Sequence, residues 1–294
     1  MNRVVAWAPG WQRLRSGRLG AGWMVVAALF FALMGVFVKV GGRSFGALEL
    51  LFYRTLFGAL MLGGVMVARR RNPLTPNWRG HLQRSLIGYV SMGLLFYALT
   101  HLPLATAITL NYTSSLFFTL ICLVRLKEPL TRTAALALAV GFGGILLLLR
   151  PTFASDMWFA AAMGLASGAS AGFAVFQVRE LGKMGEAPWR VVFWFFAISS
   201  VFGAVLLLLG PGFTPLSVET FWPLLGVGLT GMCGQLAMTR AYKDGSKFLV
   251  ASFAYLTVAF SAVLGVLLWG DVLPLEALAG ILLIVFSGVL AARR

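Results

Sequence analysis

The chain has 294 residues, of which 60% are hydrophobic and only 11% charged, with a formal net charge of +15. A soluble domain carries about 25% charged residues, so the composition excludes one and points to a lipid bilayer. A charge this positive would suggest nucleic acid in a soluble protein, but the placement of the basic residues excludes that reading as well.

In chain order, residues 1–19 form a basic arm with Arg3, Arg13, Arg15 and Arg18. The apolar stretch behind it is too long for a signal-peptide core and lacks a small-residue cleavage site, so the arm is expected to be retained. Trp7 and Trp11 suit it to an anionic membrane surface; a plain basic tail is the other reading. Ten apolar stretches follow, each near the length of about 20 residues that a spanning helix needs. They predict helices over 20–40, 48–68, 83–100, 105–124, 132–149, 157–179, 190–209, 219–240, 248–269 and 274–292. The short connections 3/4, 4/5, 8/9 and 9/10 predict antiparallel neighbours. All but four of the 24 Lys and Arg residues fall in the arm, the tail and alternate gaps. This is the positive-inside bias, and it places both termini in the cytoplasm. The four exceptions are Lys39, Arg43, Arg54 and Arg150; Arg84 is counted with the gap between helices 2 and 3.

The first helix, GWMVVAALFFALMGVFVKV, contains no acid. In the outer half of the second, Glu49 and Arg54 are the charges nearest to membrane depth, where an ionisable group normally faces the bundle and has a partner. Arg54 either binds a substrate carboxylate or plays a structural part by pairing with Glu49 or helix-end carbonyls. A place near the outer interface, which permits snorkelling, favours the structural part. The third helix puts Tyr89, Gly93 and Tyr97 on one side. The fourth carries the densest polar run, Asn111 to Ser115, with Tyr112 inside it. The sixth repeats Gly164, Gly168 and Gly172 at every fourth position, a spacing that allows close backbone approach; Phe173, Phe176 and Gln177 follow, and Trp194 and Phe195 extend this aromatic set on the seventh. The eighth offers Gln235 and Thr239, and the ninth Ser252, Tyr255 and Thr257. These uncharged groups are candidates for a substrate cavity, or else hydrogen-bonding glue between helices. Cys122 and Cys233 lie in apolar helices, where buried packing is the ordinary role. The absence of His, Cys or carboxylate clusters predicts no metal and no cofactor.

The second half echoes the first. A shift of 143 places Ala98 on Ala241, Tyr112 on Tyr255, Phe117 on Phe260 and Glu128 on Asp271; a shift of 140 places Lys39 on Arg179. Repeats of 20–150 and 155–294 hold five helices each, an odd number, so the second enters the membrane from the opposite side. Inverted repeats with a midplane site between them are a transporter device. Tyr112 and Tyr255 are then expected to face each other across the pseudo-twofold axis.

Lys39 at the end of helix 1, LFYRTLFGALML around Arg54, RLKEPLT around Glu128 and LWGDVLPLEALAGILLIVFSGVL around Asp271 resemble, in order and doubling, the two EamA-type repeats of ten-helix drug/metabolite transporters. The resemblance covers about 20–292 and is greatest to bacterial amino-acid and metabolite exporters, including aromatic amino-acid exporters. It implies an all-α integral membrane protein of a bacterial inner membrane, ten transmembrane helices as two inverted five-helix repeats, working as a monomer or weak homodimer. Ser115 and Val258 stand where the family commonly has a proline in its fourth and ninth helices, which leaves a break there an open question. Asp271 stands where Glu is usual.

No carboxylate occupies the centre of a span, and a cavity without negative charge binds cations poorly. The expected activity is therefore export of neutral or zwitterionic small molecules, amino acids among them, by alternating access without direct ion coupling. A proton-coupled multidrug or metabolite exporter is the alternative. A membrane-embedded enzyme would need a catalytic constellation that these spans lack.

Overall fold

The computed structural model describes residues 10–126, 157–244, 253–272 and 274–292, with isolated positions between 132 and 147. Its helices are α1 (Gly10–Gly41), α2 (Ala47–Ala68), α3 (Trp78–His101), α4 (Leu104–Tyr112), α5 (Ser114–Leu126), α6 (Trp158–Lys183), α7 (Pro188–Leu209), α8 (Val218–Asp244), α9 (Leu256–Trp269) and α10 (Leu275–Ala292). The predicted fourth helix is α4 and α5 together. The predicted fifth falls largely outside the described residues, as do Glu128 and Ser252. Helix α1 starts ten residues before its apolar run; at 1.5 Å per residue its 32 residues span about 48 Å, against about 30 Å of hydrocarbon. Its first turns, with Arg13, Arg15 and Arg18, therefore continue the helix beyond the apolar layer.

The distribution of side chains is that of a protein dissolved in lipid. Leu60, Val201, Leu267 and Leu282 are largely exposed, while Arg54, Thr106, Thr109, Ser167 and Ser261 are fully buried. With no water in the bilayer core, polar side chains turn inward and the apolar ones meet acyl chains.

Helices pack mainly across the two halves rather than with their sequence neighbours. The pairs that join the halves include α1 with α8, α3 with α6, α2 with α7, and α4 with α9. Exchanging the halves turns the first pair into the second and leaves α2 with α7 unchanged, as an inverted pseudo-twofold requires. Bare glycine backbone sets the register: Gly234 lies against the Phe31 ring, Gly226 against Phe37, and Gly58 against Phe196.

A pair of loop latches repeats the symmetry on opposite faces. Glu186, between α6 and α7, accepts hydrogen bonds from the Thr75 hydroxyl, from Asn77 Nδ2 at 2.8 Å and from Arg190 Nη1 at 3.0 Å. Glu49, in the first turn of α2, accepts from the backbone N–H of Thr214 at 2.9 Å and from its hydroxyl at 2.8 Å. Each threonine sits in the loop after the partner repeat's second helix, within Leu74-Thr75-Pro76 or Phe213-Thr214-Pro215. This doubled Thr-Pro was legible in the sequence and was missed. The Trp194 indole N–H adds a bond to the Pro73 carbonyl at 3.0 Å, so Trp194 takes part in the latch.

Burial pushes the Glu186 carboxyl up, but the hydrogen bonds from Thr75, Asn77 and Arg190, with the charge of His81 nearby, outweigh it and hold it at about 2. Its folded value is below the ordinary 4.5, so its contribution is complete above about pH 4.5 and is lost as pH falls toward 2. Glu186→Gln is expected to cost about 1–3 kcal/mol at neutral pH. In thermal unfolding of the detergent-solubilised protein, the gap between wild type and variant should close over that acidic window.

Candidate functional site

The polar run of the fourth span lies where its helix breaks. The backbone turns at Thr113 between α4 and α5, and turns again at Tyr255, where residues 253–254 meet α9. The breaks occur without prolines, which resolves the question raised by Ser115 and Val258. At the first, the Thr113 hydroxyl bonds the Leu110 carbonyl at 2.6 Å and the Thr113 N–H reaches the same oxygen at 3.3 Å, tightening the last turn. Such back-bonding by Ser and Thr bends helices. The glycine stripe of α6 holds the break: a Cβ on Gly168 would meet the Leu110 carbonyl at 2.6 Å, and one on Gly172 the Ser114 carbonyl at 2.8 Å.

The breaks bring the repeat-equivalent tyrosines together. The Tyr112 and Tyr255 rings are 5.9 Å apart and tilted by 53°, and the Tyr112 hydroxyl lies 2.7 Å from Thr257 Oγ1. Next to Tyr112, Asn111 Nδ2 donates to Ser167 Oγ at 3.1 Å, and Ser91 Oγ donates to the Ser167 carbonyl at 2.9 Å. This chain crosses from α3 through α6 to α4. Ser167 and Ser91 were not singled out by sequence, since isolated serines on apolar helices give no pattern.

The other sequence candidates lie apart from this centre. Tyr89 packs edge-on against Phe202 of α7, with its hydroxyl toward Gly203. Tyr97 stacks on His101 at 4.2 Å and meets Phe159 edge-on, so the third-helix tyrosines face two different neighbours. Gln235 is buried in α8, and its backbone carbonyl accepts the Thr239 hydroxyl at 2.7 Å. Gln177 is half-buried on α6, beside the stacked Phe173 and Phe176. The Ser115 side chain lies outside the described residues.

The charged residues differ most from expectation. Arg54 does not snorkel and does not pair with Glu49, whose oxygens are taken by Thr214. It is 0% exposed, its Nε is 3.2 Å from Met34 Sδ, and its guanidinium lies over the Phe195 and Phe196 rings. Arg84 is no loop residue: it sits in the second turn of α3, 8% exposed, with its guanidinium 4.5 Å from the Phe195 ring centroid. Phe195 is thus a platform under two arginines. On the face opposite the basic loops, Lys39 Nζ is 3.5 Å from Asp271 Oδ2, which also accepts the Leu104 N–H at 3.3 Å. That contact ties the ends of α1 and α9 to the start of α4. Among the described residues no group of His, Cys, Asp and Glu is arranged to hold a metal.

Comparison with known proteins agrees with this architecture. The model of the EamA-like transporter family matches residues 18–150 and again 158–293. A pseudopaline exporter of Pseudomonas aeruginosa is 29% identical over 286 residues, 95% of this chain and 97% of that protein. A riboflavin transporter of Vibrio cholerae is 26% identical over 276 residues, 91% of each. A solved crystal structure superposes with a TM-score of 0.65 at 18% identity, covering 94% of this chain and 96% of that one, a likeness of fold alone.

Gly168→Ala is expected to destabilise the protein by about 1–3 kcal/mol by driving a methyl group into the α4 carbonyls. Gly182→Ala, in the same helix with open space around it, should leave the melting temperature unchanged or raise it. Thermal unfolding of both variants in detergent reads the difference.

Proposed function

This chain belongs to the EamA-like transporter family, and from that premise we propose that it exports small neutral or zwitterionic metabolites, amino acids with aromatic bodies among them, by alternating access. The observation carrying the proposal is the Tyr112–Tyr255 pair at two symmetry-related helix breaks. An interrupted helical hydrogen-bond ladder at membrane depth is tolerated where it lines a cavity or is held by protein, and a site between inverted repeats is reachable from either side. Tyrosine rings offer an apolar body a stacking surface, and Asn111, Ser167 and Thr257 offer hydrogen bonds to its polar end. Tyr89, Tyr97, Ser115, Gln177, Gln235, Thr239 and Ser252 belong to the wider pathway in this reading.

Alternation needs each mouth to close in turn. The Lys39–Asp271 contact supports a closure on the face opposite the basic loops, and the repeat relation assigns Arg179 and Glu128 the equivalent closure in the other state. The membrane is a bacterial inner membrane with both termini cytoplasmic, on the strength of the basic residues in alternate gaps. Lack of a carboxylate at mid-span favours transport down a gradient without direct proton coupling.

The test is uptake of labelled phenylalanine and tryptophan by proteoliposomes containing only this protein, with and without an imposed pH gradient. Flux without a gradient is expected, with Tyr112→Ala and Asn111→Ala each slowing it by about tenfold, equivalent to about 1.4 kcal/mol. Flux that requires the gradient would replace the uncoupled mechanism with a proton-coupled one. An absence of amino-acid flux under both conditions would reject this solute class.

A further inference from the structure

Among the described residues, unpartnered buried polar groups gather around Phe195, with others on His81, Thr106, Arg190 and Ser261. Among the described residues, Arg54 Nη1 and Nη2, Arg84 Nε and Nη1, the Tyr89 hydroxyl and the Ser199 hydroxyl have no hydrogen-bond partner, and all four residues are more than nine-tenths buried. They come from α2, α3 and α7, which pack against one another. The two guanidinium carbons lie 5.7 Å and 4.5 Å from the centroid of the Phe195 ring, close enough for their charges to repel. Arg54 reaches in from one half of the membrane and Arg84 from the other. Ser199 lies one helical turn beyond Phe195 on α7, and Gly203, against which the Tyr89 hydroxyl rests, one turn further. At 1.5 Å per residue this strip is about 12 Å long.

An unpaired charge in a water-poor interior is costly, and two of the same sign more so. The aromatic faces under the guanidinium groups relieve part of that cost but accept none of the N–H bonds. Among the described residues no acid is a counter-charge for them. Glu49, Glu180, Glu186 and Asp271 are engaged with Thr214, Lys183, Arg190 and Lys39. The remaining acids, Glu128, Asp156, Glu219, Asp244 and Glu276, lie by sequence in loops or at helix ends. Nor is the pair a symmetric scaffold element like the Thr-Pro latches, since the shift that aligns Lys39 with Arg179 places Trp194 on Arg54.

We propose that Arg54 and Arg84 form a binding site for the carboxylate of an organic solute, with Ser199 and Tyr89 reading the polar groups of its body. The missing partner must be an acceptor, because two of the four groups only donate, and an anion, because the site carries two positive charges. Planar guanidinium groups pair with carboxylates through parallel hydrogen bonds. The inference rests on the carrier reading above and narrows its solutes to those bearing a carboxylate; neutral solutes without one are excluded.

The test is direct binding to the purified full-length protein in detergent, independent of transport. Phenylacetate is compared with phenylacetamide, which keeps the ring and loses the charge, and with sodium phosphate and sodium chloride at matched ionic strength. Phenylacetate is expected to raise the melting temperature and phenylacetamide to leave it unchanged. Arg54→Gln and Arg84→Gln should each weaken phenylacetate binding by about tenfold or more, and Arg54→Met should melt no lower than wild type without ligand, because it removes an uncompensated charge. Equal stabilisation by the acid and the amide would overturn the proposal. So would equal stabilisation by phosphate or chloride, which would make this a site for any inorganic anion. If Arg54→Met lowers the melting temperature and phenylacetate has no effect on wild type, the arginines are structural and the proposal falls. The wild-type comparison decides even where a variant fails to fold. Carboxylate binding without solute flux in proteoliposomes would uphold the site and reject the carrier reading; flux with no carboxylate preference and no sensitivity to either arginine would do the reverse.

Discussion

A hydroxyl or amide at mid-bilayer has no water to bond, and the fold is built around that constraint. Thr55, Thr109, Thr230 and Thr239 each return their hydroxyl to a carbonyl of their own helix. Polar residues can then be carried into lipid without demanding a partner elsewhere. Bonds that leave their helix, such as those from Ser91, Asn111 and Tyr112, fix how α3, α4, α6 and α9 meet. Individually such bonds are worth about 1 kcal/mol or less, so their effect is on geometry more than on total stability. A few buried hydroxyls, those of Thr106 and Ser261 among them, are left without a partner, but Arg54 and Arg84 leave charged guanidinium groups so, which is why they carry a functional inference.

Close backbone approach is the second requirement. Lipid is as apolar as leucine, so helices associate through packing contacts, not through the hydrophobic effect. Glycine supplies the contact by subtraction. On α6 it admits the carbonyls of the broken helix, and on α8 it admits the Phe31 and Phe37 rings of α1. One surface holds a bend in place, and the other sets the register of the longest helix pair.

The inverted repeat ties these features to transport. The α1–α8 and α3–α6 pairs, the carboxylate–threonine latches on opposite faces and the breaks at Thr113 and Tyr255 are each doubled. A doubled feature is available to two mirror-related states at similar energy, which alternating access requires. The arginine pair is single. A scaffold built in duplicate therefore carries a recognition site built once, much as a symmetric frame can hold an asymmetric solute.

The sequence alone determined the solvent, the number of spans and the repeat. These depend on apolar run length, the count of charges per gap and residue identities at a fixed shift, all properties of one dimension. It also indicated that Tyr112 and Tyr255 would meet, because a pseudo-twofold axis maps one onto the other. Depth and partner choice were decided only by the tertiary structure. Arg84 reads as a loop charge, because it follows Arg79 and a polar stretch, yet the helix begins at Trp78 and carries it inward. Arg54 reads as able to snorkel, but α1, α7 and α8 enclose it. Tyr89 and Tyr97 share one side of a helix, yet α6 and α7 each cover a different part of that side. Whether a long side chain reaches water, a partner or nothing depends on which helices stand beside its own, and that is fixed by packing across the repeats, not by local sequence.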